Sequence, residues 1–114
     1  MTVIDWQGIG RGPGAYDLAY LLGGSMDIEL RRANEENLVT AYHTELCANG
    51  VQGYSFESAW NDYGFAHLIG GLATSVFAGG TLDLNNERGK ELITMMSQRH
   101  VTAALDHGGL ERMP

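Results

Sequence analysis

Thr2 to Leu22 reads TVIDWQGIGRGPGAYDLAYLL, and how this stretch divides decides the fold. Val3 and Ile4 set two β-branched residues side by side ahead of a run of glycines, which is the pattern of a short buried strand. Asp5 follows at once. A carboxylate at the end of an apolar strand is costly unless it meets a cation or several donors, so Asp5 is either a metal ligand or a turn-capping aspartate. From Ala15 the apolar positions Leu18, Ala19, Leu21 and Leu22 form a helical stripe, which Gly23-Gly24 is expected to stop. Asp17 is a favourable charge in the first turn of that helix.

Between strand and helix, Gly10, Gly12 and Ala15 satisfy a loose G-x-G-x-x-A pattern. A dinucleotide fold requires a βαβ unit and further parallel strands, and nothing after Leu22 clusters β-branched residues as strands do. The loop is better read as a flexible connection in which Pro13 sits before or within the first helical turn.

Past Gly24, Ser25 is a candidate N-cap for a second helix with Asp27 and Glu29 in its positive first turn. Leu38, Val39, Tyr42 and Leu46 mark its core face, Arg31, Arg32, Glu35 and Glu36 its solvated face, and a break is expected near Asn34. Gly50 with Val51 predicts a Schellman close. His43 on this helix has no serine, cysteine or acid at triad or metal-ligand spacing and reads as a polar-rim residue. Ser55 caps a third helix expected to run to about Ala78, with Gly70-Gly71 as a close approach or a kink. From Tyr63 to Leu82 there is no charged residue, yet five glycines, His67, Thr74 and Ser75 make this stretch too polar for a bilayer. A central buried helix explains it more simply. A last helix, capped from among Thr81, Asp83, Asn85 and Asn86, turns Leu92, Met96, His100 and Ala103 or Ala104 inward and closes at Gly108-Gly109. His100 and His107 share a face without further ligands at metal-site spacing and read as structural.

The balance of 14 acidic against 7 basic residues, a formal net charge of −7, excludes a phosphate-neutralising basic stripe and disfavours nucleic-acid binding. A single cysteine, Cys47, permits no internal disulfide, and with no signal peptide at the start the expected compartment is cytoplasmic.

The order VIDWQ, a Gly/Pro loop, YDLAYLL, then RRANEENLVTAYHTEL, the Gly50-Val51 break and GYSFESAWNDYG resembles the segment that follows the catalytic loop in the aminoglycoside phosphotransferase, choline kinase and ecdysteroid-kinase-like superfamily. The resemblance runs from Val3 to about Gly80. It implies that Asp5 takes the place of the Asp-Phe-Gly aspartate of protein kinases and holds Mg²⁺ on the phosphates of ATP. It implies further that Trp6 packs beside the metal, that Asp17 is structural near the site, and that Trp60, Asp62, Tyr63 and His67 help to wall a small-molecule hydroxyl acceptor. No H-x-D pattern occurs in the chain and only four residues precede Asp5, so the chain is expected to be the later part of such an enzyme. Phosphoryl transfer needs several positioned parts together; alone, the chain should be inactive and bind neither Mg²⁺ nor ATP tightly.

The expected fold is therefore mainly α: a strand or hairpin remnant and glycine-rich loop at 1–14, a helical subdomain at 15–108 resembling the C-terminal lobe of a kinase-like phosphotransferase, and a tail at 109–114. A lone strand edge and uncovered helices should drive pairing into a homodimer. Two other functions fit parts of the pattern: a helical protein-interaction module without catalysis, and a dinucleotide- or phosphate-binding domain built on the Gly8–Gly14 loop.

Overall fold

The computed structural model describes residues 10–81, 83, 85–109 and 111, with the main chain alone at 72 and 74. The expected strand at Val3-Ile4 lies outside these residues. Among the described residues the chain is helical: α1 (Ala15–Ser25), α2 (Ile28–Ala48), α3 (Phe56–Ala66), a π-helical segment (His67–Leu72), α4 (Ala73–Thr81) and α5 (Glu87–Asp106). The mainly α class thus stands, and α1 is its hub, packing against α2, α3, the π segment and α5.

Small residues explain how one short helix serves so many neighbours. Ala15, Ala19 and Leu22 of α1 meet Val39 of α2 and Ala59, Tyr63 and Ala66 of α3 in the core, with Leu18, Met26, Tyr42, Tyr54, Phe56 and Trp60 packed around them. Gly23 and Gly24 do not stop α1; both are helical and buried. A Cβ on Gly23 would lie 2.8 Å from a nitrogen of His67 and of His100, and one on Gly24 would lie 2.8 Å from His100. Glycine costs about 1 kcal/mol in a helix interior relative to alanine, and here the bare backbone admits two imidazole rings. Local propensity read these glycines as a terminus; tertiary packing made them an interface.

The connection to α2 also differs from expectation. Asp27, not Ser25, is the N-cap, and its carboxylate is taken by Arg99 of α5 rather than by the helix's own amides. α2 runs unbroken through Asn34, whose side chain donates to the Leu30 carbonyl at 2.8 Å and projects from an intact helix. Its end is a Schellman motif: Gly50 adopts φ 94°, Gly50 N–H donates to Cys47 and Val51 N–H to Leu46. The α5 end repeats it with Gly108 at φ 68° and Gly109 N–H donating to Ala104.

Ser55 caps α3 by accepting from Ser58 N–H at 3.1 Å, and Asn86 caps α5 by accepting from Gly89 N–H at 2.9 Å. The long third helix changes character midway. At His67–Leu72 it widens to π geometry, which places the backbone of Gly70 against the Tyr16 ring and that of Gly71 against His100. The Ser75 hydroxyl donates to the Gly71 carbonyl at 2.8 Å, satisfying a group that the altered ladder disturbs. On α5, His100, Ala103 and Ala104 face inward, whereas Leu92, expected inward, is 50% exposed. No helix among the described residues is long and apolar enough to cross a membrane.

Candidate functional site

Four elements converge on a buried polar cluster. α2 supplies Arg31 and Glu35, one turn apart; α3 and the π segment supply Tyr63 and His67; the end of α5 supplies Asp106 and His107. Arg31 is 1% exposed and Glu35 8%, so the face read as solvated carries the most deeply buried charges of the chain's described part. The physical reason is register. Positions 31, 35 and 39 fall on one helical stripe, so the core face marked by Val39 continues through the two charged residues.

Glu35 organises the cluster. Its Oε2 accepts from Arg31 Nη1 at 2.6 Å and from the Tyr63 hydroxyl at 3.0 Å, and lies 3.2 Å from His107 Nε2. Burial pushes the Glu35 carboxyl up, but the hydrogen bonds and charges of His107 and Arg31 outweigh it and hold the group down at about 2. Arg31 spans to Asp106, which also takes Arg32 through two bonds of 2.8 Å. Those bonds, Arg32's first, hold the Asp106 carboxyl at about 2. Two carboxylates thus face two guanidiniums, and the buried arginine is compensated on both sides.

Above Glu35 lies a stack of rings. Tyr63 meets His67 edge to face at 4.5 Å and His107 at 5.2 Å, Trp60 meets His107 at 5.1 Å, and His67 lies 5.3 Å from His107. Tyr63 and His67 are 0% exposed. Both ring nitrogens of His67, and both of His100, are buried without a hydrogen-bond partner among the described residues. Burial first, then the nearby charge of His107 and Arg31, drives the His67 pKa down to about 3, so its ring is neutral. Glu35, His67 and His107 each offer one ligand-type atom within 4.8 Å of the others. Sequence spacing alone left His107 without companions; the fold brings Glu35 and His67 to it.

The remaining candidates fall elsewhere. Asp5 and Trp6 lie outside the described residues. Asp17 is exposed in the first turn of α1. Asp62 accepts from the Tyr54 hydroxyl at 2.8 Å, on the side of α3 that faces the loop after α2. There His43 Nε2 donates to the Tyr54 carbonyl at 2.7 Å; with its proton so engaged, that nitrogen cannot act as base toward Cys47 Sγ, 3.7 Å away. Of the four wall residues, Trp60, Tyr63 and His67 share the ring stack and Asp62 does not.

Residues 1–51 match the sequence model of the ecdysteroid kinase-like family. The matched stretch contains the I-D-W triplet, α1 and α2, and ends on Val51 of the Schellman close. No curated protein and no solved structure matches the chain.

Proposed function

We propose, from the premise that residues 1–51 carry ecdysteroid kinase-like sequence and the described chain is a kinase-like helical lobe, that this is part of an ATP-dependent enzyme that phosphorylates a small-molecule hydroxyl. The observation that carries the reading is the continuity of that matched stretch from the Asp5 triplet into two helices that pack as one body with α3 and α5.

Asp5 is the Mg²⁺ ligand in this reading. A carboxylate oxygen suits a hard cation bound to nucleotide phosphates, and bound Mg²⁺-ATP supplies the phosphoryl group and neutralises its charge. Trp6 packs beside it, and Asp17 opens the helix that anchors the segment to the lobe. Among the wall candidates, the Tyr63 hydroxyl is committed to Glu35 and the His67 ring is fully enclosed, so acceptor contact falls to Trp60 and Asp62. These 114 residues contain no H-x-D-x-x-x-x-N loop, and by themselves they should neither hydrolyse ATP nor bind Mg²⁺-ATP more tightly than a millimolar-scale Kd, about −4 kcal/mol. A cytoplasmic setting supplies the nucleotide.

The test is reconstitution. Joined to a region bearing a nucleotide lobe and catalytic loop, the chain should turn over ATP with a hydroxyl acceptor, and Asp5→Asn should abolish metal-dependent turnover while leaving the circular dichroism unchanged. Turnover unaffected by that substitution would reduce Asp5 to a turn cap.

Self-association belongs to the same proposal. Val76 and Phe77 of α4 are 69% and 74% exposed, and Ile69 of the π segment and Leu92 of α5 are also open to solvent. Apolar surface of this kind is often covered by a second copy. Light scattering during size exclusion should give twice the chain mass; a persistent monomer at high micromolar concentration would refute the pairing.

A further inference from the structure

We propose that Glu35, His67 and His107 form a site for a divalent transition cation of the zinc type, and that the bound ion staples α2, the π segment and the end of α5 together. The donor set is two imidazoles and one carboxylate, which suits Zn²⁺ and other first-row cations rather than Mg²⁺.

Four observations carry the proposal. The three ligand atoms already lie within 4.8 Å of one another. Glu35 Oε2 and His107 Nε2 stand 3.2 Å apart, close to the ~3.3 Å edge expected between ligands of a tetrahedral zinc with bonds of about 2.0–2.1 Å. His67 is 0% exposed and neither of its ring nitrogens has a hydrogen-bond partner among the described residues, although a buried imidazole left so is costly. A coordinated ion removes that cost. Finally, a small rotation of the His67 ring toward an ion breaks no hydrogen bond among the described residues.

The surroundings fit an ion held from outside its immediate ligands. Arg31 and Tyr63 orient the Glu35 carboxylate, and Arg31 keeps its second partner, Asp106, when Glu35 turns toward the metal. With three protein ligands the fourth position goes to water or hydroxide, and the adjacent guanidinium favours the anion. Entry is by fraying at the C-terminal end of α5, where His107 is the C-cap.

The experiment uses the full chain with ¹⁵N-labelled histidine and titrates Zn²⁺ alone, with Co²⁺ as a visible probe. The expected result is one equivalent bound with micromolar or tighter Kd, a rise in Tm, a four-coordinate Co²⁺ spectrum, and ring-nitrogen shifts at His67 and His107 but not at His43 or His100. His67→Ala and Glu35→Gln should each weaken binding at least tenfold, while Cys47→Ser should not change it. Because the shifts are read on the unsubstituted protein, a variant that fails to fold does not shield the proposal. No saturable Zn²⁺ binding, or shifts confined to His43 with loss in Cys47→Ser, would overturn it.

Discussion

Arg31 and Glu35, one turn apart on α2, bury a guanidinium against a carboxylate at 2.6 Å where almost no water reaches either. Removing Glu35 leaves the buried Arg31 with Asp106 alone and takes the acceptor from the Tyr63 hydroxyl, whereas removing both partners leaves no enclosed charge at positions 31 and 35. Glu35→Leu should therefore destabilise the fold by roughly 3–5 kcal/mol. The double variant Arg31→Met with Glu35→Leu should cost clearly less than the two single changes added together. Urea unfolding of the four proteins closes the cycle, and strict additivity would mean that the pair is not coupled.

Acid should weaken the fold in two overlapping stages. His67, with its pKa depressed from 6.5 to about 3 by burial, is neutral when folded and takes a proton when unfolded. The unfolded state thus binds more protons between those values, and the contribution of His67, a few kcal/mol at most, is lost as pH falls from about 6.5 toward 3. His100, lowered by burial, acts in the same direction. Glu35 and Asp106, both held at about 2, add stability that is present above their unfolded values of 4.5 and 3.8 and lost as pH falls through about 2. Unfolding midpoints in urea should fall steadily from pH 7 to 4. A midpoint unchanged between pH 7 and 5 would contradict the buried neutral histidine.

Two glycines, each the second of a Gly-Gly pair, should respond oppositely. At Gly71 an added methyl would collide with the buried His100 ring, so Gly71→Ala should lower Tm by several degrees. At Gly80, in α4, an added Cβ meets nothing within 4 Å, and Gly80→Ala should stabilise by about 0.5–1 kcal/mol. Differential scanning calorimetry separates them.

Gly50 tests the backbone alone. Its φ of 94° lies where a Cβ is strained, and the space around it is empty. Gly50→Ala should cost about 1 kcal/mol through conformation without any clash, read as a shifted urea midpoint at constant m value.

Much of the helical layout was legible because its signals are local. The caps at Ser55 and Asn86, the Schellman closes at Gly50 and Gly108, and the inward alanines of α5 depend on neighbours within one or two turns. The family resemblance rested on contiguous residues too, and the matched residues 1–51 overlap it from Val3 to Val51. The cluster was not legible in this way. Arg31, Arg32, Glu35 and Glu36 read as a solvated run because charge by itself favours water.

By itself, then, the sequence determined a mainly helical chain, several of its helix ends and the resemblance of residues 1–51 to the ecdysteroid kinase-like family. Only the tertiary structure decided that Gly23-Gly24 continues α1, that the third helix widens at His67–Leu72, and that Glu35 meets His107 across 72 residues of chain. The reason is physical: capping and turn chemistry act over a few residues, while the burial of a charge depends on which distant groups arrive to compensate it. Asp106 and His107 at the far end of α5 make the interior position of Arg31 and Glu35 stable, and nothing near residues 31–35 announces them.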